Sequence, residues 1–127
     1  MTPQEFREWA AEHIYGWQWL DPPAGPVGEA ERRLCPPGQP WAAAGYELPD
    51  PIQQWADCWA LLGNMQQERW DWVLSGGPEA KPMTVFRRGP AYQGYVGVAS
   101  DLKLAVCIAA YRAIESGRAH AQQETSA

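Results

Sequence analysis

Lysine is nearly missing from this 127-residue chain: eight of the ten basic residues are Arg, and only Lys81 and Lys103 are Lys. Fifteen carboxylates outweigh them, giving a formal charge of −5 and a pI near 4.9. Non-specific duplex binding rests on Lys and Arg neutralising phosphates, so a broad nucleic-acid face is excluded and no duplex nucleic acid is expected as partner. Cysteine is equally sparse. Cys35, Cys58 and Cys107 are isolated and odd in number, without C-x-x-C spacing, which argues against a disulfide framework or a zinc knuckle. There is no H-E-x-x-H, no P-loop, no G-x-G-x-x-G and no G-x-S-x-G. No apolar run reaches the length of a membrane span, and the start M-T-P-Q-E-F-R-E-W lacks the basic and apolar regions of a signal peptide. A cytoplasmic protein with no membrane partner is the expectation.

Tryptophan, by contrast, is abundant: Trp9, Trp17, Trp19, Trp41, Trp55, Trp59, Trp70 and Trp72. Aromatics of this size dominate a core, so most are expected inside, with two or three half-exposed as material for a binding surface. The chain is organised around Ser100 to Gly117, where only Arg112 is charged between Leu104 and Ile114. Such a helix is buried on nearly every face. Ser100 is placed to cap its start and Gly117 its end.

Upstream, Thr2 to Glu5 reads as a capping box with Pro3 at the first helical position. Phe6, Trp9, Ala10, His13 and Ile14 then follow at helical spacing. Gly16 to Leu20 reads as a short strand. From Asp21 to Asp50 the chain holds seven of its twelve prolines and is expected to form a long flap rather than a regular element. Asp50, Pro51 and Gln53 predict the start of a second helix, with Ile52, Trp55, Ala56, Trp59 and Leu62 as its apolar stripe. Three strands follow, around Arg69–Ser75, Met83–Arg88 and Tyr92–Ala99, separated by glycine- and proline-containing turns. The predicted fold is α/β (α+β): one domain over 1–117 with a flexible tail over 118–127. Three helices flank a small antiparallel sheet of about four strands, the first strand joining it at an edge, in a three-layer α-β-α sandwich-like arrangement.

These residues resemble a known family. Gly16-Trp17 with Trp19, the stretches Asp21-Pro22-Pro23 and Cys35-Pro36-Pro37-Gly38, and Leu48-Pro49 leading into a helix with Ala56 and Trp59 are similar to the phage ABA sandwich domains. So are the strand bearing Trp70 and Trp72 and the helix L-A-V-C-I-A-A-Y, Leu104 to Tyr111. The resemblance covers roughly residues 10 to 115. It implies a three-layer phage or prophage protein acting in the host bacterial cytoplasm, and it carries no catalytic residue, metal or cofactor.

Candidate chemistry is thin. Ser75, Ser100, Ser116 and Ser126 have no histidine neighbour in sequence; His13 sits on an apolar helical face and His120 in a polar tail. Neither Glu29 and Glu31 with Cys35 nor Glu8 with Glu12 forms a metal-binding spacing, and the latter pair lies on the solvent side of the first helix. Two arginine doublets stand out, Arg32-Arg33 in the flap and Arg87-Arg88 at a strand end. With Trp41, Tyr46 and Tyr92 they have the composition of a pocket that stacks a planar ring and clamps a phosphate. The bland alternative is that both doublets are solubilising charges at loop edges. The expectation is a non-enzymatic phage-type accessory protein that binds: it sequesters a small anionic, nucleotide-like ligand through Arg32, Arg33, Trp41, Tyr46, Arg87, Arg88 and Tyr92, as a counter-defence sponge. The competing expectation uses the same aromatics and arginines against a protein, as a host-factor inhibitor or virion component. A homo-oligomer is expected, because an edge strand and surplus tryptophan invite a second copy.

Overall fold

The computed structural model describes residues 1–22, 32–41, 46–88 and 94–125, with side chains in the last helix described through residue 118. The chain divides into two compact units, Met1–Pro49 and Asp50–Ala127.

The first unit opens with α1 (Pro3–His13). Its capping box is formed as the sequence predicts: Glu5 N–H donates to Thr2 Oγ1 at 3.1 Å, and Thr2 N–H to Glu5 Oε1 at 3.3 Å. Hydrogen bonding from Thr2 to the ionised carboxylate, from its side chain first and its backbone N–H second, holds the Glu5 pKa below its ordinary value. Phe6, Ala10 and Ala11 are its buried residues, while Trp9, His13 and Ile14 are half-buried. Arg7 reaches 41 and 42 residues ahead to donate to the carbonyls of Leu48 (2.6 Å) and Pro49 (3.2 Å), which ties the end of the proline-rich stretch back to the helix.

Next come β1 (Gln18–Leu20) and β2 (Arg33–Cys35), paired antiparallel with Trp19 opposite Leu34. The stretch expected to be a flap therefore contains a strand. The α+β class and three helices are as expected, but among the described residues the strands form two sheets rather than the one expected, β1 pairing with β2 and β3, β4 and β5 forming the other. A three-residue ribbon needs little periodicity to form, and its alternation was too short to read in R-L-C.

The second unit begins at Asp50, whose Oδ1 accepts from Gln53 N–H at 3.3 Å. Residues 51–53 are only a turn; the helix α2 is Trp55–Gln67, with Gln54 at the N-cap position but no side-chain bond from it to the first turn. Its buried face is Cys58, Leu61, Leu62 and Met65, rotated from the stripe expected in sequence. Trp55 and Trp59 point into solvent, 43% and 53% exposed. The reason is composition: in W-A-D-C-W-A-L-L-G-N-M only Asp57 is charged, so no polar face marks the outside. The helix closes in a Schellman arrangement, Trp70 N–H to Met65 O (3.0 Å) and Arg69 N–H to Gln66 O (2.9 Å). Arg69 fills the left-handed position at φ 69° that glycine ordinarily takes.

Strands β3 (Asp71–Gly77), β4 (Ala80–Arg87) and β5 (Gly94–Val98) form the antiparallel meander, in the order β3-β4-β5, with an irregularity between Ser75 and Gly77. Helix α3 (Leu102–Thr125) lies on one of its faces. Gly97 explains how closely: a Cβ there would sit 2.6 Å from Ala109 N and 3.1 Å from Ala109 Cβ, and nearer still to Ala105 O. Ala105, Val106, Cys107, Ala109, Ala110 and Ala113 of the helix are accordingly buried at 0–1% exposure, and Thr84 and Phe86 of the sheet at 0%. Gly117, expected to end this helix, is inside it; the chain stays helical to Thr125, within the segment expected as a tail, and Arg118 pairs with Glu115 one turn back at 2.9 Å.

Candidate binding surfaces

Side chains alternate across a strand, so the register sorts the meander into two faces. Trp72, Leu74, Thr84, Phe86, Tyr95 and Gly97 lie on the helix side. Asp71, Val73, Ser75, Lys81, Met83, Val85, Arg87, Val96 and Val98 lie on the other. That second face is apolar and wet: Val98 is 47% exposed, Val73 45%, and Met83 and Val96 36% each. Charges sit at its ends, with Arg87 opposite Asp71 at one and Lys81 at the other. Gly94 keeps the Arg87 end low, since a Cβ there would press on Val85 Cγ1 at 3.0 Å and Arg87 Cγ at 3.6 Å. A depression of about 450 Å³ at the hairpin end is lined by Ser75, Gly76, Gly77, Ala80, Lys81, Met83 and Val98.

The residues of the expected arginine site belong to both units. In the first unit, Arg33 lies 4.0 Å over the Trp41 ring and donates from Nη1 to Trp41 O at 3.2 Å. Arg32 pairs with Asp21 at 3.3 Å and donates to Trp19 O at 3.4 Å. Tyr46 donates its hydroxyl to Pro40 O at 3.1 Å and stands edge-on to Trp17 at 6.4 Å. Its pKa is raised, by burial first and by Cys35 second. In the second unit Arg88 lies 5.1 Å over Trp70 and Arg87 is on the open sheet face. Tyr92 lies outside the described residues. Of the seven, Arg33 and Trp41 are brought into direct contact. Within its own unit, Arg32 is held by Asp21 and Arg88 lies over Trp70.

The residues that the sequence reading overlooked are on the meander and on α2. Trp55 and Trp59 stack at 6.1 Å, and Lys103 Nζ lies 4.5 Å over Trp55 while pairing with Asp101 at 3.4 Å. Their spacing of four residues was read as core. The alternation Val96, Val98 and Met83, Val85 was visible, but nothing in it said that the apolar side faces water.

His13 contacts Trp9 (5.3 Å) and Glu12 (3.8 Å), and His120 falls outside the described side chains. No group of three or more His, Cys, Asp or Glu that could hold a metal occurs among the described residues, and no helix there is long and apolar enough to cross a membrane. Burial pushes the Cys58 thiol up to about 11 and raises Cys107 further, the reverse of an activated nucleophile.

No protein-family model matches the chain, and no curated protein does. Among solved structures, it is similar to a crystal structure of a phage protein from Bacillus cereus ATCC 14579. The two are 16% identical with a TM-score of 0.59, over 90% of this chain and 93% of that one. The chain thus has the fold of a phage protein, an α+β fold of helices and small antiparallel sheets.

Proposed function

We propose that this is a non-catalytic phage-type accessory protein, of the ABA sandwich kind, which works in the bacterial cytoplasm by holding another protein against the open face of its meander. One observation carries this reading: Val73, Met83, Val85, Val96 and Val98 form a contiguous apolar surface on a sheet whose other side is already packed by α3. Soluble chains seldom leave such a patch without a use. Lys81 and Arg87 at its ends, in a chain of net charge −5, suit a partner with an apolar centre and carboxylates at its rim. Immobilised protein and its V96D/V98D variant, exposed to bacterial lysate, test this. A single stoichiometric protein retained by the parent, lost with V96D/V98D and weakened by K81E/R87E, supports the reading. Equal recovery by parent and variants, or none by either, ends it.

A second reading retains sequestration of a small anion. Arg33 stacked on Trp41 supports it, because the plate leaves guanidinium N–H groups for a phosphate. Calorimetry against mono-, di- and cyclic nucleotides separates the two: binding abolished by R33A favours the anion, and silence across the panel removes it.

A further inference from the structure

The meander has two edges, and they are treated differently. Ala99 N–H donates to Pro82 O at 3.2 Å, extending the pairing of Met83 with Val98 by one residue. Hydrogen-bonded pairs in an antiparallel ladder alternate with non-hydrogen-bonded ones, so Thr84–Gly97 and Phe86–Tyr95 are bonded pairs, while Val96 and Val98 turn their N–H and C=O outward. Arg112 occupies that outer edge: its Nη1 donates to Val96 O at 2.7 Å. The one charged side chain between Leu104 and Ile114 therefore blunts β5, a usual defence against strand addition.

The same alternation carried across β4 makes Asp71–Arg87 and Val73–Val85 bonded pairs, and leaves Trp72 and Leu74 with outward N–H and C=O on β3. No hydrogen bond or strand takes up those groups among the described residues. We propose that β3 is a homodimerisation edge, pairing antiparallel with β3 of a second copy about a two-fold axis through Val73. The register is self-complementary. Centring on Val73 sets Trp72 against Leu74 of the partner subunit, and the outward groups of both form bonded pairs, four hydrogen bonds in all. Asp71 meets a partner serine at position 75, so no like charges oppose each other, and Trp72 against leucine is an aromatic–aliphatic pair of the favourable kind. A six-stranded sheet results, and the two open apolar faces become one.

A single strand-to-strand seam buries less than the roughly 800 Å² per partner of a standard complex, so dimerisation is concentration-dependent, with a dissociation constant on the order of micromolar. This inference does not rest on the proposed function: a dimer that retains no other protein leaves it intact, and a monomer that does retain one overturns it alone.

Val73 lies in a non-bonded pair across the axis, where Cα atoms stand about 4.5 Å apart, within disulfide range. The native cysteines, at 0–1% exposure, are out of reach. Sedimentation equilibrium from about 1 to 300 μM should show mass rising from 14.2 kDa toward twice that value. Under mild oxidation V73C should cross-link to dimer and V98C, on the same face but at the blunted edge, should not. V73K should shift the self-association at least about tenfold weaker, and V73T should leave it. A monomer over the whole range, or equal cross-linking of V73C and V98C (the signature of face-to-face packing), overturns the edge assignment. Should V73K misfold by circular dichroism, the V73C and V98C comparison decides alone.

Discussion

Gly97→Ala is the substitution to which this fold is most sensitive. The added methyl carbon would lie 2.6 Å from Ala109 N and 3.1 Å from Ala109 Cβ, with Ala105 O closer still. Carbon contacts settle at about 3.5–4.0 Å, so α3 must rise off β5 by something like 1 Å. Neither obstacle is a side-chain tip that could rotate away; both the carbonyl and the amide belong to the helix backbone. A gap of that size forfeits about a quarter to a half of the dispersion energy of each contact it opens, and the residues it opens are Val106, Phe86 and the alanine ridge, all at 0% exposure. Overpacking costs about 1–3 kcal/mol in ordinary cores, and alanine's strand preference over glycine returns about 0.5–1 kcal/mol. We expect a net loss of about 2 kcal/mol, toward the upper end of that difference, because the clash is with backbone. In urea, the midpoint should fall with the slope unchanged. A change within about 0.5 kcal/mol would refute the close helix-on-sheet packing.

Other perturbations follow from single side chains. Arg69→Gly should stabilise by about 0.5–1 kcal/mol in the same assay, because the left-handed strain at φ 69° outweighs glycine's greater unfolded-state entropy; a loss would contradict it. Thr84 is fully buried and its hydroxyl has no partner, so Thr84→Val should be neutral or stabilising by about 1 kcal/mol, where a loss of 1 kcal/mol or more would reveal a hidden bond. Cys58, raised by burial to about 11, should resist thiol reagents at pH 8 until the chain unfolds. Its folded pKa lies above the unfolded value near 9, so the folded state holds the proton longer; stability should be level below pH 9 and fall between 9 and 11. A rise over that window would be the wrong sign.

What could be read in the sequence was whatever a local signal controls. The capping box at Thr2 and Glu5 and the greasy stretch 104–114 each depend on residues within one or two turns, and both stand in the structure. The α2 face did not follow, because Trp55, Ala56, Trp59 and Ala60 are as apolar as Cys58, Leu61 and Leu62; the elements α2 packs on, α3 and β3, decide which set is inside. Gly117 failed as a stop because a glycine costs a helix only about 1 kcal/mol and nothing after it breaks the helix. The pairing of β1 with β2 joins residues about fifteen apart across a proline-rich stretch, beyond any local pattern. The arginine doublets were visible as composition, but the aromatic or carboxylate each one takes is a product of the fold.

Methionine oxidation probes the open face most directly. Met83 stands on it at 36% exposure, whereas Met65 is sealed beneath α2 at 2%. Dilute peroxide followed by peptide mass analysis should oxidise Met83 many times faster than Met65 in the isolated protein. In the complex retained from lysate, Met83 should become as slow as Met65. A Met83 that oxidises at the same rate free and bound would mean the partner sits elsewhere, and the account of this face as the working surface would be wrong.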